Sequence, residues 1–108
     1  MKLLTEVTRV LIAANVKQEV REEWVSLAEQ AMQDDDKDIR DSSRLIAQAL
    51  KEHASGWLDQ QDITLLLEAQ RDSARIRANN AQIALNQRIQ TLVIRLIDIT
   101  LMSLAGVL

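Results

Sequence analysis

Asp34, Asp36 and Asp38, in the run "QDDDKD", stand at the alternating spacing with which a calcium-binding loop begins. The rest of such a loop is missing. Its sixth position needs glycine and holds Ile39, and its twelfth needs a bidentate glutamate and holds Leu45. The run therefore reads as a solvated acidic loop that also caps a helix. His53 is the only histidine. A carboxylate-bridged iron pair needs Glu-x-x-His, but the residue three before His53 is Leu50. A triad built on His53 lacks any nucleophile signature nearby. A cation is favoured near a helix C-terminus, so His53 is expected at the edge of the core there. With no cysteine, the chain has neither a thiolate metal site nor a disulfide, as fits the cytosol. No catalytic, metal or cofactor-binding residue is expected, and the chain reads as non-enzymatic.

The arginines Arg71, Arg75, Arg77, Arg88 and Arg95 raise the question of phosphate binding. The net charge is −3, there is no Phe or Tyr to stack on a base, and the arginines do not cluster. No nucleic-acid partner is expected. Interhelical pairing with Glu68, Asp72 or Asp98 is the reading preferred here. Residues 34–62 hold four basic against eight acidic side chains, and residues 63–108 hold five against three. An acidic middle and a mildly basic last third are expected to attract each other between copies.

The elements that would position these residues are helices. At 108 residues the chain is one domain, and 47% hydrophobic content is that of a folded one. It contains no Pro, Cys, Phe or Tyr and only two glycines, Gly56 and Gly106. Strands need β-branched and aromatic residues and Gly or Pro at their turns, whereas Ala, Leu, Gln, Glu and Arg favour helix. The fold class is all-α. Glu6 and Arg9 interrupt the apolar centre that a signal peptide needs, so the start "MKLLTEVTRVLIAANV" is not read as one. No stretch reaches the uncharged length of an ordinary transmembrane helix. A cytoplasmic location, or a place in an assembled particle, is expected.

The first helical region runs from about Leu3 to Met32, with Val20, Trp24, Leu27 and Ala31 on one face and a kink or restart near Asn15, where Asn15 and Gln18 have capping-box spacing. In the second, Ile39, Ser43, Ile46, Leu50, His53 and Trp57 share a face, Asp36 or Asp38 caps the start and Gly56 ends it. Trp24 and Trp57 are expected to pack in the junction between these two. Asp59 or Asp62 caps the third, and no Pro or Gly follows until Gly106. Asn79 and Asn80 are the one candidate break, but Ala78 and Ala81 flank them, so a continuous helix over about 60–106 is expected. At 1.5 Å per residue the three helices span roughly 45, 27 and 70 Å. The chain thus reads as a helical hairpin, 1–58, and a long oligomerisation helix, 59–108, that protrudes by roughly 40 Å.

Apolar residues lie on two sides of that protruding stretch. One seam runs through Ala74, Ala78, Ala81, Leu85, Ile89, Leu92, Leu96 and Ile99, and a second through Ile76, Ile83, Ile94, Ile97 and Leu101. Arg77, Arg88, Thr91, Arg95 and Asp98 form a narrow polar ridge between them. A helix with two apolar sides touches neighbours on both, which favours a closed bundle of copies. The expected oligomer interface is Ala78, Leu85, Ile89, Leu92, Ile94, Leu96, Ile97, Ile99 and Leu101. The expected function is that of a structural or assembly protein that self-associates through its C-terminal helix. Two other functions compete with it: a membrane-docking helix over 91–108, disfavoured by Asp98 and the lack of Lys on its ridge, and a small adaptor offering its helix to another helical protein. The competing fold is a compact four-helix bundle with a turn at 79–80, which would need no copies.

Overall fold

A computed structural model describes residues 2–106, all of whose regular elements are helical. The helices are α1 (Lys2–Ala13), α2 (Gln18–Met32), α3 (Lys37–Ala54), α4 (Gln60–Asn79) and α5. The last runs unbroken through Ile83–Arg88, a π-helical stretch Ile89–Ile94, and Arg95–Leu104. The principal extents are 38 × 26 × 23 Å, too short for a 70 Å helix.

The stop signals legible in the sequence operate. Asn15, at φ +59°, turns the chain out of α1: its own N–H reaches the Ile12 carbonyl at 3.0 Å, and the Val16 N–H reaches Leu11 at 3.1 Å. Those two bonds form the paired closure that a left-handed residue makes possible at a helix end, and buried Val16 follows it inward. Gly56, at φ +86°, closes α3 in the same way, with its N–H on His53 and the Trp57 N–H on Glu52. Asp36 begins α3 by accepting from the Ile39 N–H at 2.9 Å. Asp59 begins α4, and both named candidates act there. Asp59 accepts from the Asp62 N–H while Asp62 accepts from the Asp59 N–H, a reciprocal capping box.

The long third helix is not formed. The chain leaves α4 at Asn79, and Gln82 begins α5. No residue of this turn needs a positive φ; Asn80 sits at φ −99°, ψ 0°. Backbone bonds from Asn80 N–H to Arg77 and from Ala81 N–H to Ala78, both 3.2 Å, begin the turn, and side chains complete it. Asn86 Nδ2 donates to the Ala78 carbonyl at 2.7 Å, and Asn80 Nδ2 donates to Ile76 at 3.0 Å. Free carbonyls at a helix end need partners, and these amides supply them. The competing fold had the turn in the right place, but the restart at Asn15 makes the bundle five-helical.

Folding back gives α5 the central position, where it packs against α2, α3 and α4. Leu92, Val93, Leu96, Ile97 and Ile99 are all buried. Burying each stabilises by about 1.5–3 kcal/mol, ample to offset ordering a short turn. The π-helical stretch brings Ile89, Leu92 and Val93 to the core together. Trp24 of α2 is buried, and its Nε1 donates to Thr100 Oγ1 of α5 at 2.8 Å. Thr100 passes its own proton to the Leu96 carbonyl at 2.7 Å, so no polar atom of this pair is stranded.

Candidate interaction surface

The residues expected to join copies lie largely inside one chain. Ala78, Ile89, Leu92, Leu96, Ile97 and Ile99 are buried, and Leu85, Ile94 and Leu101 are half-buried against the same core. The polar ridge is likewise used internally. Arg88 makes a two-pronged contact with Asp34, at 3.0 and 3.2 Å, and Arg95 does so with Glu23 at 3.0 and 3.1 Å. Arg71 meets Asp98 at 3.2 Å. Arg77 reaches Asp38 at 3.7 Å and Ser42 Oγ at 3.0 Å. Of the three acids expected to pair with the arginines, Asp98 does so; Glu68 and Asp72 form no ion pair among the described residues. Arg77 and Arg88 instead take Asp38 and Asp34, so the attraction between the acidic middle and the basic last third acts within the chain.

The acidic run is thereby accounted for. Asp34 is buried under Arg88 and also accepts from the Asp36 N–H at 2.9 Å. Burial raises its pKa, but the Arg88 and Asp36 hydrogen bonds outweigh that cost and hold the carboxyl below its ordinary range. Arg40 ties the same loop down through the Asp34 and Asp35 carbonyls, both at 2.8 Å. Among the described residues no group of three or more His, Cys, Asp or Glu is placed to hold a metal ion.

A cleft of about 620 Å³ opens at the end of the bundle where α1, α3 and the last turn of α5 meet, lined chiefly by Val10, Leu11, Val16, Leu50 and Leu104. His53 lies on its wall at the core edge, with Nδ1 2.8 Å from the Leu58 carbonyl, so its ring is held by the backbone. Ser103 Oγ, also on that wall, is buried without a partner. Among the described residues, no carboxylate lines the cleft.

What the fold leaves open is the outer face of α4. One side of this helix buries Ile63, Leu67, Ala74 and Ala78. Leu65 and Ile76 stand on the opposite side, 59% and 63% exposed. Eleven residues apart, they return to within about 20° of each other round the helix, with Ala69 and Asp72 between them on the same stripe. Trp57, just before the cap of α4, is 82% exposed, and Ile83, just beyond its end, is 79% exposed. Four of the six large apolar side chains exposed among the described residues thus lie on α4 or at its ends; Ile12 and Leu45 are elsewhere. Trp57 is not packed between the first two helices: Gly56 ends α3 one residue earlier and swings it outward. The turn also divides the second apolar stripe, sending Ile97 inward and leaving Ile76 and Ile83 in solvent. The signal for this face was Leu65 lying opposite Ile63 and Leu67, and the buried α5 seams outweighed it.

No helix among the described residues is long and apolar enough to cross a membrane. Comparisons with family models, with curated proteins and with solved structures find no match to this chain.

Proposed function

We propose that this protein is a non-enzymatic interaction module, a five-helix bundle that works by offering the outer face of α4 to another helical surface. One observation carries the reading. Four of the six large apolar side chains exposed among the described residues lie on α4 or at its ends, and a concentration of exposed apolar surface marks contact sites. Assembly through the C-terminal helix is set aside, because its apolar seams are spent on the chain's own core. A membrane surface suits the α4 face poorly: Asp72 stands within the stripe and Glu68 beside it, where an interfacial helix would carry Lys or Arg.

The test is a photo-cross-linking side chain placed at Ala69, on the stripe, or at Glu29, exposed on α2, in cells that produce the chain. Adducts to protein formed at 69 and not at 29 are the expected result. Equal labelling at both positions, or none at 69, overturns the reading.

A further inference from the structure

We infer that the partner of the α4 face is a second copy of this chain, docked antiparallel about a two-fold axis that crosses the outer stripe between Ala69 and Asp72. The inference rests on the reading of α4 as a contact face and adds the identity of what it contacts. A two-fold interface requires one surface to be complementary to itself when reversed. The outer face of α4 has that property in two independent respects.

The first is the placing of its apolar residues. Leu65 and Ile76 are equidistant from the point between Gln70 and Arg71, and Trp57 and Ile83 are equidistant from Gln70 itself. Reversing the helix about that point brings Leu65 of one copy onto Ile76 of the other. The two chain segments that flank α4, carrying Trp57 and Ile83, are brought to the same ends. All four of these large side chains are exposed, so nothing in the chain competes for them.

The second is charge. Glu68 and Arg75 are seven residues apart, which returns them to within about 20° of each other, on one flank of the stripe. A two-fold axis across antiparallel helices sets that flank against itself, so Glu68 of each copy approaches Arg75 of the other. Neither side chain has an ion pair or hydrogen bond among the described residues, although Arg71, Arg77, Arg88 and Arg95 all do. A parallel two-fold would instead set this flank against the opposite one, which carries Leu66 and Ser73, and leave Glu68 and Arg75 without partners. Asp72 lies near the axis, so in the antiparallel pair it faces its own counterpart and weakens an association that the rest of the face favours.

Light scattering of the full chain over a concentration series tests this. A reversible dimer is expected. Leu65→Glu should weaken it at least about tenfold, since it buries two charges per dimer. Glu68→Arg or Arg75→Glu alone should weaken it several-fold, and the two together should restore it. Asp72→Leu should tighten it. Circular dichroism of each variant confirms that the exposed substitutions leave the bundle folded. A chain that stays monomeric to roughly 1 mM overturns the inference while leaving α4 open to another protein, which the cross-link at Ala69 detects separately. A dimer indifferent to Leu65→Glu overturns the inference and counts against the α4 reading as well. A dimer that Leu65→Glu weakens but the double charge swap fails to restore overturns the antiparallel arrangement.

Discussion

Helices α4 and α5 are neighbours in sequence, of similar length, and each carries apolar residues on more than one side. Their fates differ. Helix α5 is enclosed by α2, α3 and α4, and its arginines 88 and 95 are neutralised by Asp34 and Glu23. Helix α4 buries one side; Leu65 and Ile76 are exposed on the other, and Glu68 and Arg75 have no ion pair among the described residues. The difference comes from position in the bundle more than from composition. Helix α5 fills the groove that α2, α3 and α4 define. Helix α4 forms a wall of that groove, so its second side faces out. Apolar density in a sequence therefore identifies surface that must be covered, and the topology decides whether the chain itself covers it.

Substitutions on the two helices should differ most where a charge enters the core. Leu96→Asp places an unpaired carboxylate among buried side chains and should remove several kcal/mol, of the order of the ~5–15 kcal/mol that holds a domain folded. A flat, unfolded trace in thermal circular dichroism is expected; a melt like that of the unaltered chain would return α5 to solvent. Next is Thr100→Val, which keeps the shape but strands the Trp24 N–H in the core. It should cost about 1–3 kcal/mol in urea unfolding, and Trp24→Phe should cost less in that background than in the unaltered chain. Full additivity of the two would show that the hydrogen bond is not the link between α2 and α5.

The ion pairs come third. The folded-state pKa of Asp34 lies below its unfolded value, so its contribution is complete above the ordinary carboxylate range and is lost as pH falls through the lowered value. Asp34→Asn should therefore lower the melting temperature at neutral pH and flatten its decline between about pH 5 and pH 1. An unchanged acid limb would mean that other carboxylates carry it. Smallest of all are Leu65→Glu and Ile76→Glu on α4, which should leave stability within about 0.5 kcal/mol while affecting association. A large loss of stability from either would mean that α4 has no free face.

Much of the fold was legible because its signals are local. Asp36, Asp59 and Gly56 act within three residues of where they stand. The break near Asn15 falls where expected, but the Asn15–Gln18 capping box does not form: α2 starts after Lys17 with no side-chain cap, and Asn15 ends α1 by adopting a positive φ. The turn after Asn79 was not legible as a stop. It needs no glycine, because no residue in it leaves the ordinary φ region, and its closing bond comes from Asn86, eight residues beyond the carbonyl it satisfies. That contact exists only once the chain has folded back. The surface on α4 was obscured for the related reason that Ile76 and Ile83 align with Ile97 only along a helix that does not form. Trp57 was misplaced by a smaller error. The face it shares with Ile39 and Ile46 is real, but Gly56 ends the helix just before Trp57 can use it.

Trp24 and Trp57, the only two aromatic residues apart from His53, differ in surroundings as far as two indoles can. One is sealed in the core with its N–H bound to a hydroxyl, and the other stands in water at the head of α4. With no Tyr or Phe to confuse the signal, ultraviolet-excited emission from this chain has two separable sources. A water-borne quencher such as iodide reaches Trp57 and spares Trp24, so the quenched fraction reports what covers the head of α4 while the spared fraction reports whether the bundle is intact. The chain thus carries, without any added label, one optical reporter for its interior and another for its surface.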